Sequence, residues 1–442
     1  MKNLKKPLIY CLLSAISLYA CVPLEESKAV SAAEVSDTSF YTFPAEFEEH
    51  EAVWIKWTTE TYLGNSTDGV IKAVIKALNP FVKIKLVVSD KEEESEVKRI
   101  LKEEGIPYSH VEFFINPNCT DRWLRDNGPV FVRNNEGQYK IVDFGFNSWG
   151  VGKQEDPINI DIDVTDRSFA RILNIPAIRS SMISEGGDRD FNGMGTVMVT
   201  ESVELQRNPD MTKEQIAEEL KRVLGQKKVL WLRTGPIEGD QMKMKGALPG
   251  NAFTSTTCGH IDEYARFADP NTIILAQVSE EERQSNEIMS MTYDILEENY
   301  QMLKKETDQD GNPFNIIRIP VTDHYYVSLA YSKEIPWYEL SWYDDLRYFD
   351  GTPVLEGDTI NQLIASSYLN FLVTNGCVLV AAYYKEGRPL STRQKDEQAK
   401  EILQQAFPGR EIIQIHKAED LNSNGGGIHC MTQQQPKMLT GN

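Results

Sequence analysis

The sequence predicts a fold of the α/β class. Short apolar strands alternate with amphipathic helices from about residue 52 to residue 416, and Gly, Pro and Asn punctuate the junctions. The strand–helix–strand unit recurs loosely, without close sequence repetition. This pattern alone does not separate a barrel, a doubly wound sheet and a propeller.

Ala52–Trp57 alternates its faces, as a half-buried strand does. Asp68–Leu78 reads as a helix, with Asp68 as its cap and Val70, Ile71, Val74, Ile75 and Leu78 along one face. Strands at Ile84–Ser89 and Val111–Asn116 flank a charged helix over Glu92–Glu104, which stops before Gly105. Pro129–Arg133 and Tyr139–Phe146 read as a hairpin around Asn134-Asn135-Glu136-Gly137. Ser168–Leu173 is helical and Thr196–Thr200 a strand. Met211–Leu224 is a helix with Thr212 near its start and Gly225 past its end. Val229–Arg233 and Thr272–Gln277 are strands, Ser279–Lys304 one long helix, and Phe314–Val321 a strand. Phe371–Tyr384 holds two strands around Asn375-Gly376, a strong hairpin signal. A helix over Arg393–Ala406 and a final strand over Glu411–His416 follow. The segment 321–364 is aromatic-rich and acidic at Asp344 and Asp345. It is too apolar for disorder and reads as a packed excursion.

Composition excludes some functions. The 442 residues carry 46 Lys and Arg against 66 Asp and Glu, a formal charge of −20. Phosphate recognition needs clustered basic residues, so nucleic acid is not an expected partner. A small cationic substrate suits the acidity. A homo-oligomer is compatible with the sequence, which does not specify one. No internal apolar run reaches the roughly 20 residues that cross a bilayer.

The N-terminus reads as an export signal over residues 1–20. Lys2, Lys5 and Lys6 precede an apolar stretch from Pro7 to Ala20. Leu18-Tyr19-Ala20-Cys21 resembles the lipobox of bacterial lipoproteins, which implies lipidation of Cys21 and a membrane anchor. Residues 21–39 then form a tether, and 40–442 a single domain. Beyond Cys11 and Cys21, the thiols Cys119, Cys258, Cys377 and Cys430 are too scattered for a stapled scaffold, so no structural disulfide is expected.

The chemistry centres on Gly425-Gly426-Gly427-Ile428-His429-Cys430, a thiol presented by a glycine run whose backbone at Gly427 can approach a bound group closely. This stretch by itself equally suits a buried structural thiol. Upstream stand Asp126 in Trp123–Pro129, Glu185 in Glu185-Gly186-Gly187-Asp188, and His260 and Asp262 in Gly259-His260-Ile261-Asp262. A guanidinium is a planar cation with five donor hydrogens. Asp126 and Asp262 are candidates to clamp it by opposite edges, and Cys430 to attack its central carbon. His260 can donate a proton to the leaving amine and then activate water, with Glu185 orienting the imidazole.

In type and order these groups resemble the catalytic set of the guanidine-modifying pentein superfamily, and within it the agmatine deiminase family, also called the bacterial peptidylarginine-deiminase-like family. The resemblance rests on Phe43–Trp57, Trp123–Pro129, Phe146–Gly150, Glu185–Gly187, Gln206–Pro209, Gly259–Phe267, Ser367–Phe371, Phe407–Glu411 and Gly425–Pro436. It implies a five-bladed α/β propeller of ββαβ-type modules with pseudo-fivefold symmetry. It also implies hydrolysis of agmatine to N-carbamoylputrescine and ammonia through an amidino-cysteine, with no cofactor and no metal. By match to the motifs, Cys430 is the nucleophile, His260 the acid and base, Asp126 and Asp262 the clamp and Glu185 the histidine's partner. Trp123 would line the pocket beside the substrate's alkyl chain. Cys258 departs from the family, which usually has an acidic residue there.

Other readings of the same residues stay open at this stage. Peptidyl-arginine and free arginine present the same guanidinium. A zinc site from Cys258, His260, His429 and Cys430 lacks the usual ligand spacing. A cysteine protease would leave three acids unused, and a non-catalytic surface lipoprotein would not need the complete reactive set.

Overall fold

A computed structural model describes residues 40–59, 61–62, 65–239, 247–254, 257–332 and 346–439. The export signal, Cys21, the tether, Asp344 and Asp345 lie outside the described residues.

The predicted α/β class is what the chain adopts, as several small mixed sheets with helices between parallel strands; no closed barrel forms among the described residues. Five sheets share one pairing pattern, an antiparallel pair whose second strand then pairs in parallel with a third. In the first, Thr432–Pro436 lies antiparallel to His50–Lys56, which is parallel to Lys83–Val88, and Val111–Ile115 adds a further parallel strand. The second joins Val130–Arg133, Tyr139–Gly145 and Ala177–Ile183. The third joins Asp190–Phe191, Thr196–Thr200 and Lys228–Leu232. The fourth joins Ala265–Asp269, Thr272–Gln277 and Asn315–Pro320, and the fifth Leu372–Thr374, Cys377–Ala381 and Glu411–Ile415. A helix or helix pair spans every parallel crossover, because parallel neighbours need a long return path.

The helices pack where their sequence period places them. Val70, Ile71, Val74, Ile75 and Leu78 bury one face of Asp68–Leu78 against Val53, Ile55, Ile84 and Leu86. Lys213–Leu224 begins with a capping box between Thr212 and Gln215 and ends at Gly225, whose φ of 65° favours glycine.

Four expectations change. Asp68 is the first helical residue and not the cap; Thr67 takes that position, and Asp68 pairs with Lys72 one turn on. The long helix over 279–304 is two helices, Glu280–Arg283 and Glu287–Leu303. Asn286 ends the run by capping the second, its side chain accepting the Met289 amide. Glu411–Ile415 is not the last strand, since Thr432–Pro436 follows and returns to the first sheet. Its polar sequence Thr-Gln-Gln-Gln-Pro carries no strand signal, yet every residue is buried. Fourth, the 321–364 excursion is built with residues further upstream. Tyr326–Ala330 and Thr359–Leu363 join Ala247–Leu248 and Ala252–Thr254 in one sheet, packed around Phe253, Tyr331, Leu346, Val354 and Ile360.

Among the described residues no helix is long and apolar enough to cross a membrane. Cys119, Cys258, Cys377 and Cys430 are buried free thiols.

Candidate active site

Each of the five sheets contributes to one place, and from the same position. Asp126 lies on the short helix Leu124–Asn127, just ahead of the strand that opens the second sheet. Glu185 precedes the opening strand of the third sheet, His260 and Asp262 that of the fourth, Asn370 that of the fifth, and Cys430 that of the first. All five segments are turns or short helices and not strand interiors, so side chains there are free of the sheet's up-and-down alternation.

The backbone of Gly187 is the meeting point. A Cβ there would stand 2.6 Å from His260 Nδ1, 2.9 Å from Asp126 Oδ1 and 3.3 Å from Asp262 Oδ2, so only glycine fits. Its amide donates to Asp126 Oδ1 at 2.9 Å, and the Trp149 indole donates to Oδ2 at 2.8 Å. His260 lies between two acids: Nδ1 is 3.8 Å from Asp126 Oδ1 and Nε2 is 3.5 Å from Glu185 Oε2. Glu185 is itself held by Arg207, whose Nε donates to both its oxygens at 2.8 and 3.0 Å.

Cys430 Sγ is 3.6 Å from Asp262 Oδ2 and 3.9 Å from Glu263 Oε1. The Asn370 amide nitrogen reaches Sγ at 3.0 Å, Asp262 Oδ2 at 3.1 Å and Glu263 Oε1 at 2.7 Å, while its oxygen accepts the His429 amide at 2.9 Å. Asp262 Oδ1 is buried and has no hydrogen-bond partner among the described residues, leaving an acceptor directed at no protein donor. The Trp123 ring lies against the Gly426 backbone on the loop that carries Cys430. Gly427 faces a different group from the expected one: it lies against the Asn370 side chain, and a Cβ there would be 2.4 Å from Asn370 Oδ1.

The electrostatics follow from this crowd of acids in a dry site. Burial alone would lower the His260 pKa, but Asp126, Glu185 and Asp188 outweigh it and raise it to about 9. The imidazole is therefore protonated at neutral pH. Burial would raise Glu185, yet Arg207 and His260 hold it down at about 2. Burial pushes the Cys430 thiol well above its ordinary value, and Asp262, Glu263 and Asp126 push it further. Without a cation the thiol keeps its proton. Burial and the neighbouring Asp262 likewise keep Glu263 neutral, far above the usual carboxylate range.

The zinc arrangement considered above does not form. Among the described residues the group close enough to share one ion is Asp262, Glu263 and Cys430, and neither His260 nor Cys258 belongs to it.

The model of the Porphyromonas-type peptidyl-arginine deiminases matches residues 42–436. The chain belongs to that family. A Medicago truncatula agmatine deiminase is 28% identical over 415 residues, covering 90% of this chain and 96% of the relative. A Latilactobacillus sakei protein named as a candidate agmatine deiminase is 30% identical, with the same coverage. Among solved structures, the agmatine deiminase of Enterococcus faecalis superposes with a TM-score of 0.67 at 27% identity, covering 90% of this chain and 96% of that one. A Porphyromonas gingivalis structure described as a candidate arginine deiminase gives 0.65 at 25% identity, covering 90% and 98%.

For this deiminase-family chain, the structure brings Cys430, His260, Asp126, Asp262 and Glu185 together, with Trp123 beside the Cys430 loop. Sequence reasoning missed Asn370, Trp149 and Arg207. All three lie in stretches that carried the resemblance, but Asn, Trp and Arg are common structural residues and no local pattern assigned them a task.

Proposed function

We propose that this chain hydrolyses the guanidinium of agmatine to N-carbamoylputrescine and ammonia. The observation that carries the reading is a buried thiol set against unsatisfied carboxylate, with an imidazolium across the same small space. Such a site is unfavourable when empty and complete when a planar cation fills it. Asp126 and Asp262 accept the guanidinium hydrogens, which removes the repulsion that kept Cys430 protonated, and the thiol proton passes to solvent. Sγ then bonds to the central carbon. His260 protonates one nitrogen, which leaves as ammonia, and an amidino-cysteine results. Neutral His260 takes a proton from water as its oxygen attacks the same carbon. The C–S bond breaks, the hydroxyl proton of the adduct passes to the departing sulfur, and the urea product leaves the thiol and the imidazolium restored. Glu185, fixed by Arg207, keeps the imidazole facing the reacting carbon.

Two features favour a small substrate: the reacting groups are buried, and Trp123 is a buried aromatic against the Cys430 loop, suited to pack an alkyl chain. The relatives named above include agmatine deiminases, while the family's own description names peptidyl-arginine. Ammonia release from agmatine, free arginine and an arginine-containing peptide at equal concentration separates the substrates. Agmatine is expected to be fastest, and faster release from the peptide overturns the assignment.

The five units are read as five blades closing around a pseudo-fivefold axis. Their common strand pairing supports this, as does the equivalent place from which each delivers its site residue. The N-terminus is read as an export signal with a lipid anchor on Cys21, supported by the basic and apolar segments that precede it. Membrane fractionation of the full chain tests it. Cys21→Ala is expected to release the protein from the membrane fraction or stall its processing, and wild-type protein found wholly in the soluble cytoplasmic fraction overturns it.

A further inference from the structure

His429, the residue before the nucleophile, has both ring nitrogens on carboxylates. Nδ1 is 2.7 Å from Asp262 Oδ2 and Nε2 is 2.6 Å from Glu46 Oε2, and all three residues are buried. A neutral imidazole carries a single N–H and can donate to only one of them; an imidazolium donates to both. Burial would raise both acids, but His429 and nearby arginines hold Asp262 below its ordinary value and Glu46 well below.

Glu46 is a hub. Oε1 accepts the Val373 amide at 2.8 Å. Oε2, beyond its contact with His429, takes Arg266 Nη2 at 2.9 Å and Arg125 Nη2 at 3.5 Å. Arg125 adjoins Asp126, Arg266 follows Asp262 on the next strand, and Val373 stands three residues past Asn370. Arg125 also binds the Cys430 loop directly: its amide donates to the Cys430 carbonyl at 3.1 Å and its Nε to the His429 carbonyl at 3.4 Å. One buried carboxylate thus ties together the segments that carry four of the site's residues.

We propose that Glu46 and His429 are positioning residues for the guanidinium clamp. His429 pins Oδ2 of Asp262, which turns Oδ1 toward the substrate, and Glu46 holds the ring in place. The effect belongs to cation binding more than to chemistry, since neither residue contacts the reacting carbon. The proposal deepens the deiminase reading and rests on it for the identity of the cation.

The test uses the full chain and a probe that does not depend on the substrate's tail. The rate of Cys430 alkylation by iodoacetamide is measured by mass spectrometry against graded methylguanidinium, and the concentration giving half the change is the apparent affinity. KM and kcat for agmatine are measured alongside, with thermal melting as the control for folding. His429→Leu, which removes both donors, is expected to weaken methylguanidinium binding and raise KM by about a hundredfold, with a smaller fall in kcat. His429→Asn keeps a donor near the Nδ1 position and is expected to recover about tenfold of that loss. Glu46→Gln, which keeps the shape and removes the charge, is expected to weaken binding about tenfold and decides the question if His429→Leu does not fold.

Folded variants that bind methylguanidinium within threefold of wild type overturn the proposal. So do His429→Leu and His429→Asn losing affinity equally, in step with their melting temperatures, because a merely structural histidine behaves that way. Wild type that responds to methylguanidinium but does not hydrolyse agmatine overturns the substrate assignment, while the variants still judge the clamp. Wild type that does not respond to methylguanidinium at all overturns both.

Discussion

Serine in place of Cys430 is expected to abolish ammonia release from agmatine, a loss of about 10⁴-fold or more, with melting unchanged. The oxygen would still receive the Asn370 amide, which now lies 3.0 Å from Sγ, so the loop should keep its shape. What the hydroxyl lacks is ionisation. The site already pushes a thiol well above its usual pKa through burial and three nearby carboxylates, and a cation in the clamp must reverse that. A hydroxyl begins several units higher, beyond what one guanidinium can offset. Ammonia assays on purified, folded variant check this; near-normal turnover would rule out the covalent route through Cys430. The variant should still bind agmatine, because the clamp carboxylates are untouched.

Asp262→Asn is expected to cost roughly 3–5 kcal/mol in kcat/KM, and Asp126→Asn a similar amount. Removing one acid leaves a buried guanidinium half-paired, in a medium where water cannot compensate. The new amide also meets donors on every side. At Asp262 it would face His429 Nδ1 and the Asn370 amide, two donors already directed at Oδ2. At Asp126 it would face the Gly187 amide and the Trp149 indole, one donor per oxygen. Steady-state kinetics of both variants, with agmatine as substrate, decide the matter. A variant within tenfold of wild type would show that its aspartate does not hold the cation. The His260 pKa separates the two further. Asp126 is the leading group that raises it, so Asp126→Asn should bring the basic limb of the pH profile below 9. Stability follows the same sign. A histidine raised above its unfolded value favours the fold below about pH 6.5, and that contribution is lost as pH rises through 9.

The geometry also explains why the reactive set is so acidic. Asp262, Glu263 and Asp126 disfavour ionisation of the Cys430 thiol, and Glu46 and Glu185 stand one residue further out, on His429 and His260. Arg125 and Arg266 pair with Glu46, Arg207 pairs with Glu185, and each histidine lies between two of the acids. Among the oxygens of these acids, Asp262 Oδ1 is buried without a hydrogen-bond partner among the described residues. Selectivity for a cation is therefore built into the charge balance as much as into shape.

Much of this was legible in the chain. Strand and helix alternation settled the α/β class, and Thr196–Thr200 and Thr272–Gln277 came out to the residue, because short continuous apolar runs bounded by turns suit a buried strand. Gly425–Cys430 by itself equally suited a structural thiol, and Cys430, His260, Asp126, Asp262 and Glu185 stood out together, through the motifs that resemble the deiminase family. The boundary at Asn286 was lost inside a continuous helical period, where a side-chain cap outweighs propensity. The strand Thr432–Pro436 was invisible because its glutamines are buried by polar partners and not by an apolar face. Gln433 and Gln434 meet the Arg125 guanidinium, and Gln435 the Trp54 indole. Asn370, Arg207, Glu46 and the task of His429 belong to the tertiary structure for a related reason. Each acts through hydrogen bonds to groups tens to hundreds of residues away, and a hydrogen bond of that kind leaves no periodicity in sequence. Local composition determined which chemistry the chain could hold, whereas the closing of distant loops on Gly187 decided which acids gather around His260 and Cys430.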